Sequence, residues 1–119
     1  MSPFDIIKFR NLPDKVQTAM LSSESAQTNM AIRKKYNLSD EQFSKMLDLM
    51  VSVLFKELKL DNFISLLKDN LDIEEEKAKK IGLEILEKKF WPLREYISDV
   101  ESVIKSLGGE IPKGEAVIS

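Results

Sequence analysis

The sequence predicts an all-α domain, a compact bundle of five or six helices, and three observations predict it. Apolar residues recur at helical spacing along most of the chain. They end in the run Leu86, Phe90, Leu93, Ile97, Val100, Ile104 and Leu107, set alternately four and three residues apart. Helix-capping signals precede several of these runs, the clearest being Ser39-Asp40-Glu41-Gln42. Only four glycines and four prolines are present, and Gly108, Gly109 and Gly114 fall in the last dozen residues, so the body lacks the turn residues that short strands need. With 119 residues, of which 43% are hydrophobic and 32% charged, the chain suits one core under a charged surface. Residues 1–107 are expected to form this single helical domain and residues 108–119, GGEIPKGEAVIS, a flexible C-terminal tail.

The elements follow in order. Residues 1–11 hold Phe4, Ile6, Ile7 and Phe9, a short helix or extended arm whose apolar groups need cover. Pro13 suits a helix start, where its missing N–H costs nothing, and Asp14 suits the positive end of the helix dipole. Val16, Ala19 and Met20 then share one face. Ser22 and Ser23 interrupt and offer an N-cap to a helix from about Glu24 to Tyr36, with Ala26, Met30, Ile32 and Tyr36 facing inward. Asn37 tolerates the left-handed conformation that ends a helix.

Ser39 as N-cap and Gln42 at N3 form a capping box, with Leu38 and Phe43 placed to staple the entry. The helix they open is expected to run from Asp40 to about Leu58. Its apolar residues cover more than one stripe, which makes it central. Asp61 is expected to cap a short helix carrying Phe63, Ile64, Leu66, Leu67 and Leu71, and Asp72 to cap the next, with Glu74, Glu75 and Glu76 in its first turn.

The last segment contains Pro92. An unbroken helix over residues 73–107 would be about 52 Å long at ~1.5 Å per residue, whereas a domain of this length is roughly 35 Å across. Proline removes a helical hydrogen bond and its ring clashes with the carbonyl four residues back. The residue before it, Trp91, is biased away from the helical region. A kink or break near Pro92 is therefore expected. A break lets Leu93 to Leu107 close the chain's own core; a mere kink leaves them to recruit a second chain. As a seam, the stripe would use Phe90, Trp91, Leu93, Ile97, Val100, Ile104 and Leu107 as interface residues.

Composition narrows the function classes. The chain has no cysteine and no histidine, which excludes disulfides, thiolate zinc sites and the commonest general base. The start, MSPFDIIKFR, lacks the pattern of a signal peptide, and no apolar stretch approaches the ~20 residues needed to cross a bilayer. A cytoplasmic protein without membrane attachment is the expectation.

Glu84 with Glu87, and the run Glu74 to Glu76, could be called acid/base or metal candidates, but dipole complementation and solubility account for them. No glycine-rich phosphate loop is present. No enzyme activity and no cofactor are expected.

Net charge is −2 but uneven: +3 over residues 1–36, −6 over 37–76 and +1 over 77–119. Two basic clusters, Arg33, Lys34 and Lys35, then Lys77, Lys79 and Lys80 with Lys88 and Lys89, could contact an anion or a nucleic-acid backbone. The helix after the first cluster, however, opens on Asp40 and Glu41, which would repel phosphates. The leading expectation is thus a non-enzymatic interaction or structural module that meets a protein partner or a second copy of itself. Nucleic-acid binding is the alternative.

Four segments carry a resemblance: Leu12-Pro13 with the break at Ser22-Ser23-Glu24, Lys35-Tyr36-Asn37-Leu38-Ser39-Asp40-Glu41-Gln42, Glu76-Lys77-Ala78-Lys79-Lys80-Ile81, and Phe90-Trp91-Pro92-Leu93-Arg94-Glu95. Over residues 12–98 the chain resembles small, uncharacterised helical proteins of candidate-phylum bacteria. That group has no established activity, so the resemblance implies architecture and assigns no functional residue.

Overall fold

Ser39 opens the most sharply defined helix in the chain, and the capping box forms as the sequence requires. Ser39 Oγ accepts from the Gln42 N–H at 3.1 Å, and Gln42 Oε1 accepts from the Ser39 N–H at 2.9 Å. The structure is a computed structural model that describes residues 6–111; the expectations for Phe4 and for residues 112–119 lie outside them.

Seven α-helices occur among the described residues, one or two more than expected: α1 (Ile6–Arg10), α2 (Asp14–Leu21), α3 (Ser23–Lys35), α4 (Asp40–Leu54), α5 (Phe63–Leu71), α6 (Glu75–Ile85) and α7 (Val100–Ser106). No strand is present among those residues. The radius of gyration is 13.6 Å and the longest extent 35 Å, too short for a straight helix over 73–107.

Four of the helix ends share one device. At Asn37, Lys56, Asp72 and Gly108 a residue with positive φ follows the last turn, and the next N–H reaches back to the C3 carbonyl. These bonds are Leu38 to Arg33 at 3.0 Å, Glu57 to Ser52 at 2.9 Å, Ile73 to Lys68 at 3.2 Å and Gly109 to Ile104 at 3.0 Å. All are Schellman closures.

Asn37 was expected to end a helix. Lys56 was not, so α4 stops at Leu54, four residues before the expected Leu58. A non-glycine residue in this conformation costs about 1–2 kcal/mol. The Lys56 ammonium sits 4.4 Å from the Tyr96 ring centroid, a cation–π contact that offsets part of that cost. Asp72 ends α5 instead of capping α6, whose N-cap is Glu74. Asp61 lies in a 3-10 turn, Leu60–Asn62, and α5 starts from Asn62.

The core is formed chiefly by α4, α5 and α6, packed in sequence. Met46, Phe63, Leu67, Ala78, Ile81 and Ile85 are fully buried there. Gly82 lets α6 approach α5: an added Cβ would fall on Ile64 Cδ1.

After Ile85 the backbone widens into a π-type turn, Leu86–Phe90. It continues as a 3-10 turn, Trp91–Leu93, before α7. Trp91 keeps helical dihedrals (φ −56°, ψ −44°), against the bias expected of a residue preceding proline. The ring of Pro92 is accommodated differently: the Trp91 N–H donates to Leu86 O, five residues back, so the turn before the proline is wide. Then α7 packs on the widened turn and on the Leu60–Asn62 turn.

The stripe lies inside the molecule. Leu86, Phe90, Trp91, Leu93, Ile97, Val100 and Ile104 are each no more than 5% exposed, and Leu107 is half-buried against them. As interface residues Phe90, Trp91, Leu93, Ile97, Val100, Ile104 and Leu107 are therefore corrected: they form the chain's own core, since α7 returns onto the turn at Leu86–Phe90. Of the residues expected in the tail, 108–111 are described. Gly108 closes α7, and Ile111 packs on the core.

Candidate functional site

The inward face of α3 is the first departure from hydrophobic logic. Ala26 is exposed and Met30 is 45% exposed, although both were expected to point inward. The helix instead turns Ser25, Asn29, Ile32 and Tyr36 toward the body. These positions recur at helical spacing, but two of them are polar.

Ser25 and Asn29 face a cavity of about 250 Å³. Its floor is α4, through Leu47, Met50, Val51 and Leu54; Phe9 of α1 and Ala19, Met20 and Leu21 of α2 close one side. Lys89 and Phe90 of the widened turn, with Leu93, close the other. One extra residue in a helical turn rotates everything after it by about 100°. The π-type turn thus sets the direction in which Lys89 and Phe90 leave the end of α6.

Lys89 is the charged member of this wall. Its ammonium donates to Ser25 O at 3.0 Å and to Ser25 Oγ. No carboxylate lies within ion-pair distance of it among the described residues. Burial disfavours the charged form and pulls its pKa down to about 8. One helical turn beyond Ser25, Asn29 Oδ1 is buried with no hydrogen-bond donor.

A second polar centre holds α3 to α6. Glu84, only 12% exposed, accepts from Tyr36 Oη at 2.7 Å and pairs with Lys35 at 2.7 Å and Lys88 at 2.8 Å. Burial raises its pKa, but the hydrogen bonds from Lys35, Lys88 and Tyr36 outweigh that and bring the carboxyl down to about 2. Tyr36 is pushed up, first by burial and then by the neighbouring carboxylate. This is a structural clamp: Glu84 Oε1 is held by Lys88, and Oε2 by Tyr36 and Lys35.

The clamp gives a pH prediction. The unfolded chain takes up a proton at Glu84 before the folded chain does, so stability is lost as pH falls from about 4.5 toward about 2. At ~1.4 kcal/mol per pH unit, roughly halved because Lys35 and Lys88 are more than half exposed, the contribution is about 1–2 kcal/mol. Glu84→Gln should lose that much at pH 7 and show a flatter acid limb; urea titrations at pH 7, 4.5 and 3 measure both.

The other predicted residues are scattered. Arg33 pairs with Asp40 and stacks 5.1 Å from the Phe43 ring centroid, Lys35 belongs to the clamp, and Lys79 pairs with Glu75. Lys34 and Lys80 are exposed and Lys77 is half-buried. Glu74, Glu75 and Glu76 line the first turn of α6 in solvent, and Glu87 takes no part in the clamp. No group of three or more metal-ligating side chains converges among the described residues, and no helix there is long and apolar enough to cross a membrane.

Sequence reasoning placed Lys89 in a basic surface cluster and missed Ser25 and Asn29. The one available signal was their spacing of four from each other and of seven from Ser25 to Ile32. The architecture defines a small all-α domain around one core. No family model, curated protein or solved structure matches the chain.

Proposed function

We propose that this chain is a non-enzymatic interaction module and that it binds through the layer formed by α1, α2 and α3. One observation carries the reading. The exposed large apolar side chains among the described residues are Ile6, Ile7, Leu21 and Met30, and all belong to that layer. Solvent-facing Ile, Leu and Met side chains in three consecutive helices support a contact surface there. A second copy of the chain is the first partner to test, given the basic N-terminal third and acidic middle.

Pro92 belongs to the same reading. It lies in the 3-10 turn Trp91–Leu93 that follows the widened turn, and the stripe that could have served as a seam is buried inside the fold. Nucleic-acid binding has less support, because Arg33, Lys35 and Lys79 already pair with carboxylates and the pI is near 5.3.

Leu21 is 71% exposed, so Leu21→Ser should leave stability within about 0.5 kcal/mol of wild type. Light scattering should show a wild-type dimer that this variant dissociates. A wild type that stays monomeric to roughly 1 mM, together with a Leu21→Ser variant that retains every protein the wild type captures, would reject the reading.

A further inference from the structure

The cavity beneath the α1–α3 layer goes beyond that reading, because its chemistry suits a small molecule. We propose that it binds a medium-chain carboxylate, with the alkyl chain among Met20, Leu47, Met50, Leu54 and Phe90 and the carboxylate on Lys89 Nζ.

Size comes first. An apolar cavity of ~150 Å³ accepts benzene, so 250 Å³ holds roughly ten carbon-sized atoms. That is an acyl chain of about eight to ten carbons, too small a space for a folded segment. The lining favours the same ligand: ten of its thirteen residues are apolar, and the three polar ones, Ser25, Asn29 and Lys89, come from α3 and the widened turn. Few polar groups at one side of an apolar pocket fix the orientation of an amphiphile.

Charge decides what the head group is. An ammonium has three N–H donors. Two of those on Lys89 go to Ser25 O and Ser25 Oγ, which leaves one without an acceptor. Glu24 and Lys88 are the charged residues on its outer side; Lys88 is held by Glu84, and Glu24 makes no ion pair with Lys89. A half-buried cation with no counter-ion is expensive to keep. A carboxylate supplies the missing charge and acceptor and reverses the effect of burial on Lys89. Asn29 stands one turn along α3, and rotation of its amide brings an N–H toward the second carboxylate oxygen. This accounts for α3 turning Ser25 and Asn29 inward while Met30 stays in solvent.

The test uses decanoate as the probe, 1-decanol as its uncharged counterpart and the whole chain as the receptor. Decanoate should bind one to one by calorimetry and shift the ε-methyl resonances of Met20 and Met50 but not that of exposed Met30. Lys89→Met, which keeps the stem and removes the charge, should weaken decanoate at least tenfold while 1-decanol binds wild type and variant alike. Leu47→Trp, which fills the cavity from α4, should abolish both. Equal decanoate affinity in wild type and Lys89→Met overturns the assignment of the head group. An absence of Met20 and Met50 shifts at saturating decanoate overturns the site. Both readouts are taken below the concentration at which the chain self-associates, so neither depends on a protein partner.

Discussion

Ile104→Asp is expected to leave the chain unfolded, or nearly so, at 25 °C. Ile104 is fully buried, on the face of α7 that returns onto the Leu86–Phe90 turn. Removing a buried isoleucine side chain costs about 2–5 kcal/mol. A carboxylate in its place has no cation to meet and adds several kcal/mol more, or takes up a proton to avoid the charge. A domain of this size is stable by only about 5–15 kcal/mol, so the sum consumes most or all of it. Circular dichroism should show lost helical signal or a midpoint lowered by more than 20 °C, roughly 4 °C for each kcal/mol. A variant that melts normally but changes from dimer to monomer would return the stripe to the surface.

Phe63→Ala is expected to be the most damaging simple truncation in the core. Phe63 begins α5, is fully buried, and meets Phe90 with ring centroids 5.6 Å apart at a tilt of 56°. Truncation loses the buried ring and leaves a cavity, about 3–5 kcal/mol together. The tilted ring contact adds coupling of about 0.5–1.5 kcal/mol. Urea unfolding of Phe63→Ala, Phe90→Ala and the double variant should therefore be non-additive, with the double variant less destabilised than the two singles summed. Additive losses would mean that the rings stabilise the fold independently. Phe90 also lines the cavity, so Phe90→Ala should enlarge it while Phe63→Ala leaves its walls in place.

The fold was largely written in local signals. Ser22, Ser39 with Gln42, Asn37 and Gly108 act within a few residues of where they stand, and each does in the structure what its chemistry dictates. In each misreading a second structural demand overrules a local preference. Phe55 and Leu58 continue the apolar period of α4, yet the helix closes at Lys56, whose left-handed conformation is partly offset by its contact with the ring of Tyr96. Asp72 has the side chain of an N-cap, but α5 needed a closing residue there first. Trp91 stays helical because the turn before it widens.

The site was illegible for a stronger reason. Ser25 and Lys89 are 64 residues apart, and nothing in either neighbourhood announces the other. Periodicity reads polar residues as outward, so a helix that turns Ser25 and Asn29 inward defeats it by construction. The π-type turn Leu86–Phe90 carries Lys89 and Phe90 to the cavity wall, and no local signal in the sequence announces that widening.

Trp91 is the only tryptophan in the chain, and it sits in the core with Arg94 4.4 Å from its ring and its indole N–H without an acceptor. The molecule therefore carries a single optical reporter at the corner where the helical run ends. Its emission in the native state should be blue-shifted, and it senses the docking of α7, one residue away from the cavity lining at Phe90. Fluorescence and helical signal can then be compared in one denaturation. If they fall together, the corner and the bundle melt as one unit; if the indole reddens first, α7 peels away while α4 to α6 still hold.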